Sequence, residues 1–144
     1  MRVLIIHGPN LNLLGERQPE IYGTMTLAEL NEFIATAARE LNVSVDCVQH
    51  NSEGEIINRI HDARASYDGI VINPGAYAHY SYAIADAISS VHIPVVEAHL
   101  SNISAREAHR RISVTAASCV GAVSGFGQHS YVLALRALVE NAGK

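Results

Sequence analysis

With 144 residues the chain has room for one sizeable core and little more. A composition of 49% hydrophobic and 17% charged residues excludes a disordered chain, and a net charge of −4 argues against nucleic acid or an anionic membrane as partner. No apolar run nears the roughly 20 residues of a membrane span.

The first element is the strand-like run Arg2–His7, "RVLIIH", which begins without the charged region and cleavage site of a signal peptide. Behind it lies "GPNLNLLGERQPEIYGTMTL", Gly8 to Leu27, with two Pro, three Gly, two Asn, an Arg and a Tyr. A strand-to-helix connection usually takes about two to six residues, so this loop is long for its place. A helical pattern settles in at about Thr26, and Leu27, Leu30, Ile34, Ala38 and Leu41 mark its apolar face. Strand candidates follow at Val43–Gln49, Gly69–Asn73, Pro94–Ala98 and Ala117–Val123. Ser52 with Glu55 reads as a capping box ahead of Ile56, Ile57 and Ile60, and Ser104 with Glu107 reads as a second one. The last helix is expected from about Tyr131 to Asn141, with Gly143 as its stop. Cys47 and Cys119 both fall in strand-like runs without metal spacing, which suits buried free thiols in a reducing cytoplasm.

Five apolar runs alternating with helical patterns predict a single α/β domain, a flavodoxin-like doubly wound five-stranded parallel sheet. Ligands of such sheets bind outside the carboxyl ends of the strands, near the topological switch point. The strand ends are therefore the place to look for chemistry. After the first strand there is neither the acidic Mg²⁺ cluster of a receiver domain nor the short Ser/Thr-rich loop of a flavin phosphate site. "GFGQHSY", Gly125 to Tyr131, imitates a phosphate-binding glycine pattern but follows the last strand, and a tight turn accounts for it.

Glu97 and His99 lie two apart at a strand end and so share a side. A carboxylate beside an imidazole fixes its tautomer and favours its protonated form, which suits a general acid. Asn73 and His79 share that sheet edge. In the long first loop Arg17 and Tyr22 stand out, because an arginine within about 4–6 Å of a phenol stabilises the phenolate. The flanking glycines and prolines suit a mobile lid over residues 15–24. Eight histidines invite a zinc reading, but no H-E-x-x-H or comparable spacing occurs. The single lysine is Lys144, the last residue, which argues against an imine mechanism. A non-catalytic flavodoxin-like module for a small anion or nucleotide is the alternative reading. A serine hydrolase using Ser101 or Ser124 would lack the G-x-S-x-G elbow.

"GPNLNLLGERQPEIYG" resembles the N-terminal signature of the type II 3-dehydroquinate dehydratases. "NPGAYAHYSYAIADAI", "VVEAHLSN", "AREAHRR" and "GFGQHSYVLALRAL" are similar to the family's later motifs in order and spacing, so the resemblance covers essentially the whole chain. It implies trans elimination of water from 3-dehydroquinate to give 3-dehydroshikimate, without cofactor or metal. By motif, Tyr22 would be the base at C2, Arg17 would hold it as tyrosinate, and Asn10 with a water would stabilise the enolate. His99, oriented by Glu97, would protonate the leaving C1 hydroxyl. Asn73, His79, Leu100, Ser101 and Arg110 would bind the substrate's hydroxyls and carboxylate. Asp86 would reach a neighbouring subunit's site, since the family assembles trimers into a dodecamer. Departures from the family pattern are Gln18 in place of an acidic residue, Ala85 in place of an arginine, and Ala78 and Tyr80 in place of threonines. Ala108 and His109 replace an acidic residue and an aromatic.

Overall fold

Near-continuous apolar runs become the central strands, because a strand covered by helices on both faces must be apolar at every position. The computed structural model describes residues 1–142, so Gly143, the expected helix stop, lies outside the described residues. Five strands, β1 Arg2–His7, β2 Ser44–Gln49, β3 Gly69–Asn73, β4 Val95–His99 and β5 Gly121–Ser124, pair in parallel in the order β2-β1-β3-β4-β5. The helices are α1 Pro19–Tyr22, α2 Leu27–Glu40, α3 Glu53–Ala63, α4 Tyr82–Ser89 and α5 His129–Asn141.

Alternation along the strands builds two cores. Val3, Ile5, Val71 and Val96 meet Leu30 and Ile34 of α2 and Leu135 and Leu138 of α5 on one face. Leu4, Ile6, Ile70, Ile72 and Val95 meet Ile56 and Ile60 of α3 and Ile84 and Ile88 of α4 on the other. This is the expected doubly wound architecture, with its switch point between β1 and β3. There His7 stands opposite Asn73 in register. Gly8 begins the long loop by passing so close to β3's exit that an added Cβ would lie 2.6 Å from the Pro74 carbonyl.

Several expectations about local structure need correction. Helix α2 starts with a complete capping box: Thr26 Oγ1 accepts from the Glu29 amide at 3.2 Å and Glu29 Oε2 from the Thr26 amide at 3.3 Å. Ser52 supplies one half of such a box, accepting from the Glu55 amide at 3.3 Å. Ser104 and Glu107 form none. Their segment folds as two 3-10 turns, Ile103–Ala105 and Ala108–Arg110, and Asn102 is the residue that caps the first. The segment lacks an apolar stripe at helical spacing, and Arg106 between the turns is extended. The expected strand Ala117–Val123 begins instead at Gly121, because Ala116–Ser118 is taken up in another 3-10 turn. Cys119 thus lies before β5 and not within it; it and Cys47 are free and half-buried. The long first loop is itself structured, with a 3-10 turn at Leu11–Leu13 and the single turn of α1.

Candidate active site

A cavity of about 110 Å³ opens over the carboxyl ends of β1, β3 and β4. Its wall includes Asn10, Arg17, Tyr22, Asn73, His79, His99, Leu100, Ser101 and Arg110, nine of the eleven residues expected from the sequence. Arg106 joins them, while no Asp or Glu is part of the wall. Three guanidinium groups without a carboxylate make the cavity a receptor for an anion.

One wall is borne by the strand ends. Glu97 is fully buried and His99 nearly so. Glu97 Oε1 accepts from His99 Nε2 at 2.5 Å and from Ser113 Oγ at 2.6 Å, while Oε2 accepts from Thr115 Oγ1 at 2.5 Å. Burial alone would raise the Glu97 pKa, but the hydrogen bonds from His99, Ser113 and Thr115 outweigh it and hold the group below the usual carboxylate range. A carboxylate can only accept, so Nε2 of His99 carries a hydrogen and Nδ1 is the ring atom left for the cavity. Glu97 itself stays behind His99, out of the wall. Gly127 and Gly125 follow β5 and support this edge, their amides donating to the carbonyls of Leu100 at 3.0 Å and His99 at 3.3 Å. Gly125 does so with φ +97°, packed on Asn102, which is the turn expected of "GFG".

The opposite wall is borne by loops. The Arg17 guanidinium lies 4.7 Å from the centre of the Tyr22 ring. Arg106 Nη1 donates to the Tyr22 hydroxyl at 3.2 Å and to Ser101 Oγ at 3.1 Å. Its Nη2 is buried with no hydrogen-bond partner among the described residues. Arg110 and Arg106 both approach the exposed Glu107, at 3.5 and 3.7 Å. Gln18, one of the departures, takes the left-handed region (φ +36°, ψ +59°) as the N-cap of α1, which turns the chain so that Pro19 can open the helix leading to Tyr22.

Asn10 and His79 are each fixed from outside the cavity. Asn10 is left-handed (φ +67°), and its amide donates to Asn51 Oδ1 at 3.0 Å. Gln49 ties Asn51 Oδ1 and the Gly8 carbonyl together at 3.0 and 3.1 Å. His79 Nδ1 lies 2.8 Å from the Ile112 carbonyl. That oxygen can only accept, so the hydrogen is on Nδ1. Asp86 is exposed on α4 and is not part of the cavity wall.

Sequence reasoning missed Arg106, Ser113 and Thr115. Arg106 stands in the quoted "AREAHRR" four residues before Arg110, and reading that segment as a helix hid its convergence with Tyr22. The i, i+2 hydroxyls Ser113 and Thr115 mirror the spacing of Glu97 and His99, a signal that gains meaning only once the two segments adjoin.

Acid–base catalysis on a small anionic substrate is the class of chemistry that such a cavity defines on a flavodoxin-like sheet. Comparison with known proteins narrows the class: the chain belongs to the class II dehydroquinase family, whose model matches residues 1–139. A 3-dehydroquinate dehydratase of Caldanaerobacter subterraneus subsp. tengcongensis is 56% identical over 137 residues, 95% of this chain and 93% of the relative. The type II dehydroquinase crystal structure from Butyrivibrio crossotus superposes with a TM-score of 0.94 at 48% identity, covering 96% of this chain and 97% of that one. The type II dehydroquinase from Propionibacterium acnes gives 0.93 at 41% identity, covering 97% of both chains.

Proposed function

We propose that Tyr22 and His99 divide between them the two proton transfers by which this chain removes water from 3-dehydroquinate. The activity itself, that of a 3-dehydroquinate dehydratase and hence a hydro-lyase, follows from family membership at more than half identity over nearly the whole chain. The division of labour rests on one observation: a phenol beside two guanidinium groups and a carboxylate-held imidazole line the same small cavity.

Tyr22, as tyrosinate, takes the proton from C2. The C2–H electron pair moves into the C2–C3 bond and the ketone becomes an enolate, whose oxygen Asn10 and a water stabilise by donated hydrogen bonds. The enolate then reforms the ketone, the C1–C2 double bond forms, and the C1–O bond breaks as imidazolium His99 delivers its Nδ1 proton to the leaving hydroxyl. Glu97 stabilises the imidazolium before that transfer. The Tyr22 proton returns to solvent and His99 recovers one, so the balance closes with water as the only by-product. No electrons enter or leave the substrate, so no redox cofactor is needed. The substrate carboxylate pairs with Arg110, while Asn73, His79 and the Leu100–Ser101 segment take its hydroxyls. A lid over residues 15–24 carries Arg17 and Tyr22 down onto bound substrate. Asp86 serves the cavity of a neighbouring subunit in a trimer, four of which form a dodecamer, and the enzyme works in the cytoplasm.

Purified protein mixed with 3-dehydroquinate should show rising ultraviolet absorbance as the conjugated enone forms. Wild-type turnover in Tyr22→Phe would refute the assignment of the base. A light-scattering mass below twelve chains would refute the dodecamer.

A further inference from the structure

Behind the cavity runs a buried polar chain that the proposed chemistry does not use. His7, at the end of β1, and Tyr131, in the first turn of α5, are both fully buried. Their rings lie 5.3 Å apart, and the Tyr131 hydroxyl is 3.0 Å from His7 Nδ1 and 3.1 Å from Asn73 Nδ2. His7 Nε2 lies 2.8 Å from Asn31 Oδ1 on α2. If only volume mattered here, Phe and Leu would fill the same space without burying polar atoms.

The direction of every bond in this chain can be deduced from one end. The Gly75 amide can only donate, and it donates to Asn73 Oδ1 at 3.1 Å. The Asn73 oxygen therefore faces Gly75, and its amino group faces Tyr131. That amino group donates to the phenol oxygen, so the single phenolic hydrogen goes to His7 Nδ1. His7 then keeps its hydrogen on Nε2 and donates it to Asn31. Burial supports this neutral arrangement, pushing the His7 pKa down to about 4 and the Tyr131 phenol well above its ordinary value. One N–H of Asn73 is left over, and Asn73 is part of the cavity wall.

We infer that Tyr131 and His7 are positioning residues: their hydrogen-bond chain fixes the side-chain amide of Asn73 so that it presents an N–H donor, not an acceptor, to a substrate oxygen. A flipped amide would set its amino group against the Gly75 N–H and the Tyr131 hydroxyl against the amide oxygen, reversing the whole chain. Without Tyr131's hydroxyl, one of the two anchors on the amide is gone and its remaining N–H loses its aim. This inference rests on the reading of Asn73 as a substrate-binding residue, and the test separates the two.

Steady-state kinetics with 3-dehydroquinate on Tyr131→Phe, Asn73→Ala and the double variant test it. Losing one oriented hydrogen bond predicts a KM raised about five- to tenfold in Tyr131→Phe, with kcat changed less than about threefold. In the Asn73→Ala background the same Tyr131→Phe change should leave KM within about twofold, because its target is gone. An unchanged KM in Tyr131→Phe, or a full additional effect in the double variant, would overturn the inference. Wild-type kinetics in Asn73→Ala would instead remove the substrate-binding reading on which it stands, and the inference with it. Should Tyr131→Phe fail to fold, His7→Leu, which removes the acceptor that orients the phenol, must raise KM in the same way or the inference falls.

Discussion

The two walls of the cavity are built on opposite principles. The His99 wall, backed by Glu97, is made of strand ends and is buried, and the bonds that His99, Ser113 and Thr115 make to Glu97 all run toward the carboxylate. The Tyr22 wall is carried by loops: α1 is a single turn, Arg17 is part-exposed, and the cations gather around a phenol that no strand supports. An acid that must hold a proton beside a carboxylate gains from fixed, water-free geometry. A base that must admit a substrate and then close over it gains from a support that moves. The division therefore places rigidity where orientation matters and loop structure where access does.

The comparison breaks first if either wall can be emptied without loss. Tyr22→Phe and His99→Ala should each reduce kcat by about 10²- to 10⁴-fold in the enone assay, with unchanged circular dichroism. The buried chain behind the strand ends should also reveal itself through acid. Burial depresses the His7 pKa from its ordinary value of 6.5 to about 4, so between these values the unfolded chain binds a proton that the folded one does not. Stability is then complete above about pH 6.5 and declines as pH falls toward about 4, by roughly 3 kcal/mol at most. Glu97 acts in the same direction at still lower pH, since its folded-state pKa lies below the usual carboxylate range. Denaturant titrations across this range should show the slope, and His7→Leu should flatten it; an unaltered slope would show that His7 is not the group responsible.

Smaller effects separate the two cations on the loop wall. Arg106 donates to the Tyr22 oxygen, whereas Arg17 stacks over its ring. A hydrogen bond to a charged oxygen outweighs a partly exposed stacking contact, so Arg106→Met should lower kcat by about 10- to 100-fold and Arg17→Met by less. Equal losses would contradict that ranking. The smallest change expected is in Thr115→Val, which removes one of the three bonds holding Glu97 and should lower stability by about 1–2 kcal/mol in chemical denaturation.

What the sequence disclosed, and what it hid, follows the same contrast. Glu97 and His99 were legible because two-residue periodicity on a strand is a strict geometric rule, and the structure keeps them on one side as expected. Arg17 and Tyr22 were legible for the opposite reason, as chemistry stranded in a loop too long to be a connection. Arg106 escaped because only tertiary folding brings it to Tyr22, 84 residues away in the chain, and because a Ser/Glu spacing imitated a helix start that no apolar face supports. His7 and Tyr131 escaped because each closes or begins an apolar run, so that position suggested packing and concealed a hydrogen-bond chain 124 residues apart in sequence. Alternation predicted a parallel sheet with a switch point, but only the folded strand order puts that point between β1 and β3, where His7 stands opposite Asn73.

The central claim, that the loop wall takes the C2 proton and the strand wall releases water, can be tested by following 3-dehydroquinate in D₂O by proton NMR. His99→Ala should still exchange the C2 proton for deuterium through the enolate while forming almost no dehydroshikimate, and Tyr22→Phe should do neither. Exchange at the wild-type rate in Tyr22→Phe, or normal dehydration by His99→Ala, would contradict the account.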